Sequence, residues 1–248
     1  MKNFFRSIQT FFPSLHDIRF SLKFFKMKLT NSPHENDFKA LRLFNLSENQ
    51  EIVDVGSNRG EAIASILLAN NLKNKIIGFE PNGLVFEKLD AKFKGNERVK
   101  LHNLGLGEKQ EERKLFVPFY RKWMFDGLSS FHYNDAANWL KKRLWNYKEQ
   151  NLTIKEIPCH IKSMDSLNLR PGFIKIDVQG FELEVLKGAK ETLEQFRPIL
   201  LIESVTDEII ALLKPFGYEC YSFNNGKLTP GKGKLNTFCM VEANNKID

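Results

Sequence analysis

Four short apolar runs constrain this chain more than any other feature. Glu51-Ile52-Val53-Asp54-Val55, Lys75-Ile76-Ile77-Gly78-Phe79, Phe173-Ile174-Lys175-Ile176 and Ile199-Leu200-Leu201-Ile202 are short and mostly apolar, and read as strands. Each stops at a glycine or an acid: Gly56, Glu80, Asp177 and Glu203. The following segments change period. Ala62, Ile63, Ile66, Leu67 and Leu68 recur at helical spacing, and so do Leu84–Phe93 and Glu182–Phe196. Val99–Leu104 adds a third strand between these helices. Strands alternating with helices predict a parallel sheet covered on both faces, an α/β fold. In such a sheet ligands bind outside the carboxyl ends of the strands. Gly56, Gly60, Glu80, Asp177 and Glu203 are therefore expected in one crevice.

The bend Asp54-Val55-Gly56-Ser57-Asn58-Arg59-Gly60 has the spacing G-x-x-x-G. Glycines there allow close approach of a ligand and a tight turn into the next helix. The dinucleotide fingerprint carries a further glycine that admits a pyrophosphate. Asn58 stands in its place, which favours a ligand without one. No Gly-Lys-Ser/Thr follows, so this is not a P-loop. Glu80 lies about 20 residues beyond the bend, where an acid commonly accepts both hydroxyls of a ribose. A carboxylate offers two acceptor oxygens to a vicinal diol. The competing reading is an acid at a helix N-terminus, with Pro81 at the first helical position. The glycine bend upstream weighs toward ribose. Candidate cofactor-binding residues are Asp54, Gly56, Asn58, Gly60, Glu80 and, after the third strand, Gly105.

Residues 1–34 form an aromatic, basic extension with Lys2, Arg6, Arg19, Lys23, Lys26 and Lys28. Phe20, Leu22, Phe24, Phe25 and Leu29 predict a short helix after Ser14. That helix either packs on the domain's flank or meets a membrane surface or partner. Residues 35–248 form the main domain, beginning with a helix over 35–46. An irregular insertion at about 107–160 interrupts the rhythm. It contains strands near Lys114–Val117 and Thr153–His160 and a helix over Ala136–Lys148. Tyr218–Phe223 and Thr237–Val241 predict a closing antiparallel hairpin. With 248 residues, 42% hydrophobic and 27% charged, the chain is long enough for a sizeable core and is not disordered. The net charge of +7 favours acidic partners without choosing among them. Cys159, Cys220 and Cys239 contain no CxxC pair, which argues against a zinc cluster or disulfide framework and for a reducing cytoplasm. No apolar run approaches the ~20 residues of a spanning helix.

Lys175-Ile176-Asp177-Val178-Gln179-Gly180-Phe181-Glu182, Val185-Leu186-Lys187-Gly188-Ala189 and Ser163-Met164-Asp165-Ser166-Leu167 join the bend and Phe79-Glu80-Pro81. Together they resemble the FkbM family of S-adenosylmethionine-dependent methyltransferases, from Glu35 to Glu203. The resemblance implies a Rossmann-like class I methyltransferase sheet of seven mostly parallel strands, the last antiparallel. It also implies S-adenosyl-L-methionine as cofactor and O-methylation of a hydroxyl on a sugar or related natural product. Gln179 departs from the pattern, since an acid is frequent there in that family.

Methyl transfer from a sulfonium requires an acceptor that is positioned and deprotonated. Asp177 is a catalytic candidate, against the simpler reading of an acid that caps the following helix. Asp177 and Glu203, expected at neighbouring strand ends, are candidate ligands for a divalent cation such as Mg2+. His132, in the irregular block, is a candidate base, although a lone histidine is more often structural or merely exposed. The expected partner is a small-molecule or glycan acceptor and not nucleic acid. Peripheral membrane contact through the N-terminus and oligomerisation stay open, and the expected location is cytoplasmic. Two rival readings remain. One is a nicotinamide-dependent oxidoreductase, against which the glycine spacing speaks. The other is a non-catalytic module that binds nucleic acid or a membrane surface through its basic N-terminus.

Overall fold

The computed structural model describes residues 2–13, 15–69 and 71–241. Helices α1 (Lys2–Gln9) and α2 (Leu15–Thr30) precede a 3-10 segment over Asn36–Leu43. The βα rhythm then begins with β1 (Glu51–Val55), α3 (Glu61–Leu67), β2 (Ile76–Phe79), α4 (Gly83–Phe93) and β3 (Val99–His102). The chain next leaves the main sheet for β4 (Gly105–Leu106), β5 (Glu111–Tyr120), β6 (Trp123–Met124), α5 (Tyr133–Asn138) and β7 (Leu152–Lys162). It returns with β8 (Pro171–Ile176), α6 (Glu182–Lys187), α7 (Lys190–Phe196), β9 (Ile199–Glu203) and α8 (Asp207–Leu213). β10 (Tyr218–Asn224), β11 (Lys227–Pro230) and β12 (Asn236–Val241) close the sheet.

The main sheet has the order β11-β10-β12-β9-β8-β1-β2-β3. β3, β2, β1, β8 and β9 are parallel, and β12 runs antiparallel between β9 and β10. This is the Rossmann-like class I methyltransferase arrangement with one strand more than expected. The added strand is β11, in the connector of the predicted hairpin. Asn225 and Gly226 both take the left-handed backbone (φ 49 and 81), and they join β10 to β11 across the Asn224–Lys227 pair. An Asn-Gly pair is the preferred sequence for such a two-residue hairpin turn.

Side-chain alternation divides the core in two. Ile52, Phe173 and Leu201 face one layer; Val53, Ile174 and Leu200 face the other. Each central strand thus buries both its faces, as a parallel sheet requires. Asp54 and Lys175 break the apolar run side by side, directly paired in the β1–β8 register.

The block at 107–160 is more regular than its sequence suggests. β5 and β7 pair continuously from Glu111–Ile161 to Tyr120–Leu152, in a second sheet ordered β4-β7-β5-β6. The helix expected over 136–148 is shorter: α5 ends at Asn138 and a 3-10 turn covers Trp139–Lys142. The segment over 35–46 is 3-10, not α-helical. The helix over Glu182–Phe196 is split at Gly188, where a Cβ would lie 1.9 Å from the Gly107 carbonyl oxygen. Beyond the break, the Asp165 carboxylate accepts from the backbone N–H groups of Glu191 and Thr192 and caps α7. Among the described residues, no helix is long and apolar enough to cross a membrane.

Candidate active site

The strand order fixes where the crevice lies. From β1 the chain steps outward to β2 and β3, then resumes at β8 on the other side of β1. Connections that diverge in this way leave an opening at the carboxyl ends of the two central strands. There the loops touch: Asp177 donates its N–H to the Val55 carbonyl at 3.1 Å. A Cβ on Gly56 would lie 1.9 Å from the Asp177 carbonyl oxygen, and Gly56 has φ +80, so glycine alone permits this crossing. Gly60, at φ +86, has a packing reason instead, because its Cβ would meet the Phe93 ring at 2.3 Å. The opening holds a cavity of about 150 Å3 that is open to solvent on one side.

Glu80 lines this crevice and is buried. Its Oε2 accepts the Asn58 backbone N–H at 2.8 Å, and its Oε1 accepts the Asn82 N–H at 2.8 Å. Each oxygen therefore has one fixed donor and retains acceptor capacity. Burial pushes the carboxyl up to about 7, against the two N–H groups, which favour its charged form. Asn82, not Glu80, caps α4, accepting from the Leu84 N–H. Glu80 still stands just before the N-terminus of α4, but the helix begins at Gly83 and not at Pro81 as expected.

On the other side of β1 the acids form a connected group. Gln179 Nε2 donates to Asp177 Oδ1 and to Glu203 Oε2, both at 2.9 Å. Lys175 Nζ stands 3.4 Å from Asp177 Oδ2 and 3.4 Å from Asp54 Oδ1, and donates to the Gly56 carbonyl at 3.2 Å. Burial raises the Asp177 carboxyl, but the Lys175 charge together with hydrogen bonds from Glu203, Gln179 and Lys175 more than offsets it and holds Asp177 below the usual range. Glu203 goes the other way, pushed up to about 8 by burial and by the Asp177 carboxylate. Lys175 stays above its ordinary value despite burial because two aspartates face it.

Of the expected cofactor residues, Gly56, Asn58, Glu80 and Gly105 line the crevice together with Asp177. The Asn58 side-chain oxygen is buried and has no hydrogen-bond partner among the described residues. Gly105 is pressed against β7: a Cβ there would lie 2.5 Å from Ile161 Cδ1. Asp54 lies beneath the crevice, fully buried, with Lys175 as its ion-pair partner. Gly60 lies outside the lining. Glu203 and His132 line an adjoining cleft with Trp139, Arg113 and Arg143, and Gln179 borders both spaces. His132 is exposed there.

Sequence reasoning missed Asp126, Phe131 and Lys175. Asp126 lines the crevice and accepts from Arg59 Nε at 2.7 Å; His16 Nε2 stands 3.5 Å from it. Burial raises this carboxyl, and His16 and Arg59 more than offset that, so it stays below the usual range. Lys175 left a trace in the sequence, a lone cation inside an apolar run. Nothing local marked Asp126 or Phe131.

The two cation candidates, Asp177 and Glu203, do meet, but through an amide. A cation held between carboxylates needs oxygen donors turned toward it. Here an N–H donor group faces both acids, and the described residues include no group of three or more His, Cys, Asp or Glu suited to a metal. This donor set does not fit a resident divalent ion.

No curated protein matches the chain by sequence. Among solved structures, methyltransferase FkbM from Methylobacillus flagellatus KT is 17% identical, with a TM-score of 0.49, over 88% of this chain and 52% of its own. The chain thus spans about half the length of that protein. A SAM-dependent O-methyltransferase from Thermotoga maritima is 12% identical (TM-score 0.41, covering 81% of this chain and 62% of its own). An O-methyltransferase from Bacillus cereus in complex with SAH is 8% identical (TM-score 0.41, 89% and 90%). The family model of the methyltransferase FkbM domain matches residues 54–220, more than half of the chain, from the strand that carries Asp54 to the strand that carries Cys220, and the chain belongs to that family.

Proposed function

We propose that this chain is an S-adenosylmethionine-dependent O-methyltransferase acting on a hydroxyl of a saccharide or related natural product, with residues 35–248 carrying the site. One observation carries the reading: the Glu80 carboxylate is buried in the crevice, pinned by two backbone N–H groups and left with spare acceptor capacity. A vicinal diol such as a ribose uses such a group well. The rest of the donor set suits the same ligand. The unpartnered Asn58 oxygen accepts an N–H, and Pro81, Leu104 and Phe131 give an apolar wall for a flat base.

When bound, the cofactor supplies a methyl group already activated on a sulfonium. The chain's part is then to hold the acceptor and take its proton. Asp177 is the proposed base. Lys175 keeps it ionised, and the Gln179 amide occupies one of its oxygens, which fixes its orientation. Glu203, with its raised pKa, sits beyond the same amide as a second proton site. The adjoining cleft offers Trp139 as an apolar face and His132, Arg113 and Arg143 as polar groups, a mixture suited to a sugar.

Calorimetry with the demethylated cofactor tests the reading. Binding is expected for the native chain and is lost in Glu80→Ala; no affinity in the native chain would overturn the assignment. Turnover on a panel of hydroxylated glycans is expected to be unaffected by chelator.

A further inference from the structure

We infer that α2, with α1 beside it in sequence, docks this protein on the surface of an anionic lipid bilayer. The inference goes beyond the proposed methyl transfer and does not depend on it. Helix α2 is apolar on two opposite faces. His16, Phe20, Phe24 and Met27 turn toward the body. Leu15, Ile18, Leu22, Phe25 and Leu29 fall within an arc of about 80° on the far side. Ile18 is 52% exposed, Leu22 62%, Phe25 65% and Leu29 74%. Phe4, Phe5, Ile8, Phe11 and Phe12 of the preceding segment are exposed as well. An apolar stripe of this extent marks an interaction surface.

The charges beside the stripe choose the occupant. Arg19 and Lys26 flank it on one side and Lys28 on the other, and all three are exposed. Asp17 is the one acid in residues 1–34, and it is held by Arg59 at 2.7 Å and Lys88 at 2.6 Å. The outward face therefore carries large apolar side chains rimmed by cations with no opposing acid. That is the pattern of a helix lying in a membrane interface, its ridge among acyl chains and its basic stems reaching to acidic headgroups.

The helix is also firmly mounted. Lys92 Nζ lies 3.0 Å above the centre of the Phe24 ring, and Lys23 pairs with Glu61. Arg59, in the glycine bend, donates to Asp17, and His16 faces Asp126 of the crevice wall. Docking through this helix holds the crevice close to the bilayer.

The test is co-sedimentation of the full chain with phosphatidylcholine vesicles and with vesicles in which about a third of the lipid is phosphatidylglycerol. The expected result is salt-sensitive binding to the anionic vesicles. Removing the rim (Arg19→Ala, Lys26→Ala and Lys28→Ala together) is expected to weaken it roughly a hundredfold. Removing the stripe (Ile18→Ser, Leu22→Ser and Phe25→Ser together) is expected to abolish it. All six positions are exposed, and unchanged circular dichroism with unchanged binding of the demethylated cofactor checks that the variants fold. Three results would overturn the inference: no vesicle binding, binding that survives both variants, or light scattering that shows a dimer converted to monomer by the stripe variant without any vesicle binding.

Discussion

Glu80 and Asp177 stand at the carboxyl ends of β2 and β8, the two strands that flank β1, and both line one crevice. Their surroundings differ in kind. Glu80 meets only backbone N–H donors, and burial pushes it up to about 7. Asp177 faces the Lys175 ammonium, which together with hydrogen bonds from Gln179 and Glu203 holds it ionised in spite of burial. The same functional group at equivalent strand ends is thus poised as a neutral-to-charged acceptor in one place and a standing anion in the other. Environment, not residue type, divides the roles.

The cation under Asp177 gives the largest expected effect. Lys175→Met leaves Asp54 buried and uncompensated, and should cost about 3–5 kcal/mol in denaturant unfolding. A loss near zero would show that Asp54 and Asp177 do not need the ammonium. Next, Asp177→Asn is expected to lower kcat roughly a thousandfold while leaving affinity for the demethylated cofactor unchanged. A parallel loss of affinity would put Asp177 on the cofactor side and erase the distinction. Glu80→Gln reverses the pattern: affinity drops roughly tenfold to a hundredfold as a charge-assisted acceptor becomes neutral.

The smallest effect is graded by pH. Cofactor affinity should fall by up to about tenfold per unit as pH drops below about 7, and Glu80→Gln should flatten the profile. Stability has the opposite sign. Because the folded-state pKa of Glu80 is raised, its contribution to stability is full below about 4.5 and is lost as pH rises through about 7. Weaker binding at pH 6 with an undiminished melting temperature therefore separates titration of Glu80 from unfolding.

Legibility followed the range of the interactions. The central strands and the glycine bend were visible because burial on both faces leaves unbroken apolar runs, and a tight strand-to-helix turn leaves glycine. The second sheet was read as irregular. β5 buries Leu115 and Val117 on one face but Pro118 and Tyr120 on the other, and its first half carries Glu, Arg and Lys, which breaks the alternation. The Asn225-Gly226 pair is a local hairpin signal, set in a stretch crowded with Lys and Gly that hides the short strand after it. Asp126 had none: its role depends on Arg59 and His16, 67 residues away in one case and from another helix in the other. The outward stripe of α2 was obscured because the inward face is apolar too, so no single polar face stood out.

From the sequence alone came the layered α/β order, the carboxyl-end crevice and the residues that punctuate it, since these rest on periodicity and turn chemistry within a few positions. Tertiary structure decided how those residues are used. It set Lys175 between two aspartates, put the Gln179 amide between Asp177 and Glu203, withdrew Asp54 beneath the crevice and gave Glu80 two backbone donors. Charge state and hydrogen bonding depend on burial and on neighbours brought together from distant parts of the chain, and those are properties of the packed fold.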